Sequence, residues 1–246
     1  MSSRENTMDL KIKDLAELLN VSETTIRRWL AEGKIPAYRL NHQFRFSRSE
    51  IEDWVMSCRM NKNTDKVHPD VSIQSDTMKN IVAKSGTRQF SLYRALHHGE
   101  VLSDVLGSEK EQVIRGSVKK IAQSMNLDGD VISELLMDRE RLMPTSLNYG
   151  IAVPHTRDFL LQETNDVVTV VYPQEPIEYG ALDNQPVHTL FFLFACEDKR
   201  HLHLLAKLAH FASDEKCRDF LLTKPKKIEL LKFIKEFESK IPALAT

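Results

Sequence analysis

A histidine at the end of an apolar, β-prone run is the residue of this chain best placed to do chemistry. The run GIAVPH covers residues 150–155, and its proline precedes His155 directly. Pro154 fixes its own φ angle and removes a backbone donor from the ladder of a sheet. The pattern therefore predicts that His155 stands at a strand terminus, where a side chain is held rigidly and stays accessible. A lone histidine beside a strand is more often an ordinary polar residue. The neighbours of His155 in the sequence therefore determine whether a functional role is indicated.

Three further polar residues flank this run in the sequence. Arg139 and Thr145 precede it, and His201 begins the stretch HLHLLAKLA. The leucines of that stretch recur at helical spacing, which predicts an amphipathic helix with His201 at its N-terminal end.

Taken in order, the elements RE, T, GIAVPH and HLHLLAKLA resemble the fructose, mannitol and nitrogen type of enzyme IIA domain of the bacterial phosphotransferase system. The resemblance runs from about residue 91 to the C-terminus. It implies that His155 accepts a phosphoryl group from an HPr-type donor and that His201 is the second active-site histidine. It also implies that Arg139 and Thr145 are neighbours of the phosphate. A IIB-type acceptor is the further partner of such domains, and the sequence leaves open whether one exists.

Elementary chemistry agrees with these roles. A neutral histidine is a nucleophile, and its unperturbed pKa of about 6.5 leaves much of it neutral near pH 7. Phosphoryl transfer between nitrogens needs positioning and positive or hydrogen-bond-donating neighbours. Arg139 offers a planar fork for phosphate oxygens, and His201 near a helix N-terminus favours an anion. No Gly-rich phosphate loop or Mg²⁺-binding carboxylate pattern is recognisable in the sequence, so we expect no ATP-dependent kinase, no metal and no cofactor.

One segment departs from the family pattern. Such domains commonly have small, glycine-rich residues between Thr145 and Gly150, whereas this chain has SLNY at 146–149. The bulkier residues are expected to alter the donor surface or the access of phosphate, but they leave His155 in place.

The N-terminal stretch LAELLNVSETTIRRWL, residues 15–30, has the pattern of a helix-turn-helix. Asn20 suits the left-handed conformation of the turn, and Ser22 is a suitable N-cap for the second helix. At about 100° per residue, Ile26, Trp29 and Leu30 share one face of that helix. The opposite face carries the residues expected to enter the major groove, which are Thr24, Thr25, Arg27 and Arg28.

The residues that follow predict a wing and a third helix. The segment GKIPAYRLNHQFRF reads as a turn and two short strands around Asn41 and His42, followed by a helix from Ser49. Between Thr24 and Arg48 there are six basic residues and one acidic residue, a balance that suits phosphate neutralisation.

This order of elements resembles the excisionase or MerR-like winged DNA-binding family. The resemblance implies double-stranded DNA as the partner, with Arg39 and Arg45 of the wing as further contacts. The alternative is a small helical adaptor whose basic face is merely solvated.

The pattern along the chain predicts two domains of different class. We expect a small, mainly α winged helix-turn-helix domain at 1–57, a polar linker at 58–88 and an enzyme IIA-like domain at 89–246. In the last, strands at 150–155, 166–172 and 187–195 alternate with helices at 113–125, 128–141, 199–212 and 226–238. Helices interleaved with strands predict an α/β or α+β sandwich with a mixed central sheet.

Composition restricts the compartment and the class of protein. The three cysteines are far apart and form no CxxC motif, a usage typical of reduced thiols. No apolar run approaches the roughly 20 residues needed to span a bilayer. We therefore expect a cytoplasmic protein without a membrane segment, and a homodimer stays open.

Three functions fit these observations. We favour a DNA-binding regulator that reports the phosphorylation state of a phosphotransferase chain, because no IIB-like or IIC-like segment is recognisable. The alternative is a phosphoryl-relay component of a sugar phosphotransferase system, in which the helix-turn-helix serves assembly only. A third is a DNA binder whose second domain senses without being phosphorylated. The target DNA, the signal and the sign of regulation cannot be read from the sequence.

Overall fold

The computed structural model describes residues 10–19, 21–57, 91–156 and 165–240. They fall into two compact units, one containing 10–57 and the other 91–240. The expected linker at 58–88 and the turn residue Asn20 lie outside the described residues. Across the ranges that are described, no helix is both long and apolar enough to cross a membrane.

The described part of the smaller unit has the predicted helix-turn-helix order followed by a hairpin and a helix. In chain order its elements are α1 (Ile12–Leu19), α2 (Glu23–Ala31), β1 (Tyr38–Leu40), β2 (Gln43–Arg45) and α3 (Arg48–Ser57). Ser22 is the N-cap of α2, as predicted, because its Oγ accepts a hydrogen bond from the backbone N of Thr25 at 3.1 Å. Asn41 and His42 both have positive φ angles, 46° and 64°, the backbone that a two-residue hairpin turn requires.

A pair of tryptophans holds this small unit together. Ile26 and Trp29 of α2 are buried, as the spacing predicts. The rings of Trp29 and Trp54 lie 5.6 Å apart, and Nε1 of Trp54 donates a hydrogen bond to the carbonyl of Lys34 at 2.6 Å. This contact joins α3 to the turn that follows α2. It therefore fixes the orientation of α2, which carries the basic surface.

The larger unit is built around a mixed sheet, as predicted. Its described elements are α4 (Ser91–His98), β3 (Val101–Val105), α5 (Lys110–Met125), α6 (Gly129–Leu142), β4 (Ile151–Ala152), β5 (Val167–Pro173), β6 (Thr189–Phe194), α7 (Asp198–Ser213), α8 (Glu215–Leu222) and α9 (Lys227–Ser239). Among these residues the strand order is β3-β5-β6-β4. The central pair β5 and β6 is antiparallel, whereas β3 and β4 run parallel to their neighbours.

The two central strands are buried on both faces. Every residue of β6 and nearly every residue of β5 is buried, which is typical of strands covered by helices on both sides. Leu190 and Phe192 of β6 belong to a core shared with α5 and α6. The alternate residue Phe191 packs edge-to-face on Phe211 of α7, at a centroid distance of 6.2 Å. Helices on both faces therefore fix β6, which pairs with the edge strand β4. The candidate site lies next to β4.

Candidate functional site

His155 lies just beyond β4, on the edge of strand β6. It forms a parallel bridge with Leu193, whose backbone N donates to the carbonyl of Pro154 at 3.0 Å. Nδ1 of His155 lies 2.7 Å from the carbonyl oxygen of Val153. Because a carbonyl can only accept, Nδ1 carries the proton of the neutral ring, and the lone pair resides on Nε2. The backbone therefore sets the tautomer of His155.

The second predicted histidine lies beside the first. His201 is in the first turn of α7, and its ring centroid is 5.1 Å from that of His155, with the ring planes tilted by 59°. Both side chains are buried, and the accessibility that we expected for His155 at a strand terminus stays a prediction. The structure thus brings together two residues that are 46 positions apart in the printed sequence.

The other two predicted residues lie on the segment that leads from α6 to β4. Arg139 is in the last turn of α6, where its Nη1 donates to the carbonyl of Met143 at 3.0 Å. The hydroxyl of Thr145 donates to the carboxylate of Glu140, and its carbonyl accepts from the backbone N of Val153 at 2.9 Å. Thr145 is therefore connected to His155 through Val153, and its expected place beside a phosphate stays a prediction.

Glu140, the second residue of the RE element, was given no role by the resemblance. Its buried carboxylate accepts hydrogen bonds from the backbone N of Thr145 at 3.2 Å and from the hydroxyl of Tyr179 at 2.8 Å. Lys110 of α5 completes the cluster, with Nζ 3.5 Å from the carboxylate. Burial, and then the charge of Glu140, raise the pKa of Tyr179 well above its ordinary value, so its hydroxyl stays a donor. The position of Glu140 directly after Arg139 was the only indication of its role in the sequence. The role itself could not be predicted, because the partners of Glu140 come from distant segments.

The SLNY segment forms an unusual turn before β4. Asn148, Tyr149 and Gly150 have consecutive positive φ angles of 46°, 56° and 70°, a conformation that glycine and asparagine tolerate but that is strained for Tyr149. The backbone N of Tyr149 donates to Asp183 at 2.6 Å. The guanidinium of Arg218 lies 4.0 Å from the centroid of the Tyr149 ring, within cation–π range. These contacts hold a bulky residue where the family commonly has a small one.

His188, which directly precedes β6, is hydrogen-bonded to the same turn. Its Nε2 lies 3.2 Å from the carbonyl of Tyr149, so Nε2 is the donor, and Nδ1 accepts from the hydroxyl of Thr189 at 2.8 Å. Burial lowers the pKa of His188 below its ordinary value. The turn is therefore built around a neutral imidazole.

The predicted DNA-contact residues lie on α2 and on the hairpin. Thr24, Arg27 and Arg28 are exposed on α2, and Arg27 forms an exposed ion pair with Glu23 at 3.5 Å. Thr25 is only partly exposed, because it lies against the N-cap of the helix.

On the hairpin, Arg39 is exposed, whereas Arg45 folds back and donates to Gln43 Oε1 at 2.8 Å and to the carbonyl of Phe44 at 3.1 Å. Thr25, which lies on α2, also has a local partner: its hydroxyl shares a hydrogen bond with Ser22 Oγ at 2.9 Å. Four of the six residues thus present exposed side chains, and the other two, Thr25 and Arg45, are only partly exposed.

Two known protein families match different parts of the chain. Residues 95–237 match the family described as the phosphoenolpyruvate-dependent sugar phosphotransferase system, EIIA 2, and residues 10–59 match a helix-turn-helix domain family. The predicted combination of an enzyme IIA-type domain with a helix-turn-helix domain is confirmed.

Individual relatives match one part of the chain at a time. A nitrogen regulatory protein of Pseudomonas aeruginosa is 32% identical over 137 residues, which are 54% of this chain and 88% of that protein. The crystal structure of nitrogen regulatory protein IIA-Ntr from Neisseria meningitidis, 28% identical, covers 56% of this chain and 94% of its own with a TM-score of 0.50. The transcriptional repressor DcmR of Methylorubrum extorquens is 44% identical over 62 residues, which are 25% of this chain and 22% of that repressor.

Proposed function

Since the chain belongs to the enzyme IIA type 2 family of the phosphotransferase system, we propose that it is a DNA-binding regulator whose His155 accepts a phosphoryl group from an HPr-type donor. The observation that supports this assignment is the hydrogen bond from Nδ1 of His155 to the carbonyl of Val153. It leaves the lone pair on Nε2, so the ring is a nucleophile without any prior proton transfer.

The transfer exchanges one phosphorus–nitrogen bond for another. Nε2 of His155 attacks the phosphorus of the donor's phosphohistidine, the bond from phosphorus to the donor nitrogen breaks, and its electron pair stays on the donor ring. The proton on Nδ1 remains in place, held by Val153.

Neighbouring groups supply positive charge and donors in this proposal. His201, 5.1 Å from His155 between ring centroids, donates to the phosphoryl oxygens, and the first-turn amides of α7 favour the anion. Arg139 adds a permanent positive charge to the segment that carries Thr145. Positioning and electrostatic stabilisation of this kind are the main requirements of phosphoryl transfer.

The acceptor is tested by labelling from a phosphorylated HPr-type protein. We expect His155→Gln to abolish acid-labile phosphate incorporation, because the amide cannot form a phosphohistidine. His97→Gln is the matched control, since His97 is exposed at the end of α4, and it should label as the unmodified chain does. Full labelling of His155→Gln would refute the assignment.

DNA binding is the second part of the proposal. Its support is the exposed basic surface of α2 and the wing, together with the likeness of a 62-residue stretch to a protein named as a transcriptional repressor. Phosphorylation adds about −1.5 to −2 charges, and an effector of this kind typically changes affinity about 5- to 150-fold. Fluorescence anisotropy with labelled operator candidates, before and after phosphorylation, measures the change. Equal affinity in both states would rule out regulation by this route.

The relay function is the competing proposal, in which the helix-turn-helix serves assembly only. It predicts that phosphate passes from His155 to a IIB-type acceptor and that the chain has no affinity for duplex DNA even at low salt. A regulator instead binds DNA with an affinity that falls steeply as salt rises, because its basic residues displace counterions. A salt titration of DNA binding therefore separates the two.

A further inference from the structure

We propose that Glu140 is a positioning residue for phosphoryl transfer, a role that rests on the proposed function of His155. Its carboxylate fixes Thr145, the carbonyl of Thr145 fixes Val153, and the carbonyl of Val153 fixes Nδ1 of His155. Glu140 thereby acts on the nucleophile through the backbone, without contacting the phosphoryl group.

The carboxylate of Glu140 is saturated by donors from several segments. One oxygen accepts from the hydroxyls of Thr145 and Tyr179, and the other accepts from the backbone N of Thr145 and lies 3.5 Å from Nζ of Lys110. Lys110 also lies 5.1 Å from the centroid of the Tyr179 ring. A buried carboxylate is costly unless it is paired and hydrogen-bonded, and here every donor helps to fix the position of one residue, Thr145.

Thr145 begins a short hairpin-like turn, whose second arm leads to His155. The backbone N of Val153 donates to the carbonyl of Thr145 at 2.9 Å, and the N of Leu147 donates to the carbonyl of Ile151 at 2.7 Å. A slip of this pairing by one residue would turn every side chain to the opposite face. By fixing Thr145, Glu140 fixes the register, and the register places the Val153 carbonyl within hydrogen-bond distance of Nδ1 of His155.

The chain also holds a second buried carboxylate that serves as a control. Glu238 is buried, paired with Lys207, and accepts from the backbone N of Leu92 at 3.2 Å and of Tyr93 at 2.9 Å. These bonds cap the N-terminus of α4. Loss of the Glu238 charge should therefore lower stability without changing the register of the Thr145 turn.

The test compares Glu140→Gln with Glu238→Gln in the full chain, with two readouts. Nitrogen-15 NMR of the unphosphorylated protein reports the fraction of His155 that carries its proton on Nδ1. Rapid-quench labelling from a phosphorylated HPr-type donor reports the second-order rate constant. We expect Glu140→Gln to lower both, the rate about 10- to 100-fold, because a displacement of about 1 Å in a reacting group can cost about 100-fold.

The control variant separates positioning from stability. Glu238→Gln should lower the Tm while changing the rate by less than about twofold, since Glu238 bonds to Leu92, Tyr93 and Lys207 rather than to the Thr145 turn. If Glu140→Gln keeps the His155 spectrum and the rate of the unmodified chain, the positioning role is wrong. If Glu140→Gln does not fold, Thr145→Val removes the hydroxyl that bonds to Glu140 and keeps the carboxylate, and an unchanged His155 spectrum would then overturn the proposal.

Conservative replacement of Thr145 completes the design. Thr145→Ser keeps the hydroxyl that bonds to Glu140 and should retain the His155 tautomer, whereas Thr145→Val should lower the fraction of His155 with its proton on Nδ1. A chain that takes no phosphate in any form would contradict the proposed function alone, because the NMR readout does not require phosphoryl transfer.

Discussion

Replacement of two glycines by alanine should change the stability of the larger unit in opposite directions. Gly150 has a φ angle of +70°, and a Cβ added there would lie 2.4 Å from Cδ2 of His188 and 2.8 Å from the carbonyl oxygen of Pro186. Its own carbonyl accepts from the backbone N of His188 and of Thr189, so a shift of the chain weakens two further bonds. Gly116 lies inside α5, and a Cβ there meets no other atom within 4 Å.

The magnitudes follow from these surroundings. Alanine in the left-handed conformation costs about 1 to 2 kcal/mol, and forcing atoms into a packed site costs about 1 to 3 kcal/mol more. Gly150→Ala should therefore lower the free energy of unfolding by about 2 to 5 kcal/mol, which lowers Tm by roughly 5 to 15 °C for a unit of this size. Gly116→Ala should raise it by about 0.5 to 1 kcal/mol, because glycine is unfavourable inside a helix.

Urea unfolding followed by circular dichroism measures both changes, and labelling of Gly150→Ala at a temperature well below its Tm measures the effect on the site. We expect slower phosphorylation of this variant, because Gly150 leads directly into β4 and His155. If Gly150→Ala were as stable as the unmodified chain, or if both alanines changed stability in the same direction, the account of the turn would be refuted.

Three further predictions concern other parts of the molecule. Arg28→Ala should reduce discrimination between DNA sequences by about 1 to 3 kcal/mol, whereas Arg45→Ala should weaken binding to all sequences alike; gel shifts with matched and scrambled DNA would contradict this if the two variants behaved identically. Lys207→Met should lower the free energy of unfolding by about 3 to 5 kcal/mol, because the substitution leaves Glu238 buried without its counter-ion. A loss below about 1 kcal/mol, measured by urea unfolding, would refute this prediction. Because burial lowers the pKa of His188, the unfolded chain binds more protons in acid, so stability should fall as the pH drops below about 6.5; unfolding of His188→Gln at several pH values should show a shallower dependence, and an equal dependence would contradict the assignment.

Much of the local structure was predictable because its causes are local. The strands expected at 166–172 and 187–195 are observed at Val167–Pro173 and Thr189–Phe194, since continuous apolar runs mark strands buried on both faces. The helix expected from Asp128 begins at Gly129, with the Asp128 side chain accepting from two backbone amides of the first turn. Capping and apolar periodicity act within a few residues, so one segment suffices to read them.

Other features depend on contacts that the sequence does not display. β3 at Val101–Val105 was not expected, because its register shifts between Leu102 and Val105 and Asp104 has a φ angle of +55°, which interrupts the alternation of an ordinary strand. The role of Glu140 depends on Tyr179, 39 positions away, and on Lys110, 30 positions away. The tautomer of His155 depends on the direction of one backbone carbonyl, which only the turn between Thr145 and Val153 determines.

A backbone carbonyl is a suitable partner for the nucleophile of a carrier that must pass its phosphoryl group on. The Val153 carbonyl is neutral and cannot take the proton, so the ring of His155 keeps Nδ1–H both before and after Nε2 bonds to phosphorus. The phosphorylated ring is then a cation, and loss of the phosphoryl group returns it to a neutral imidazole. A carboxylate in the same place would form a charge-assisted bond to that cation, about twice as strong as a neutral one. Under the proposed function, the carbonyl orients the ring without trapping the phosphohistidine, and the turn that Glu140 fixes keeps that carbonyl in place.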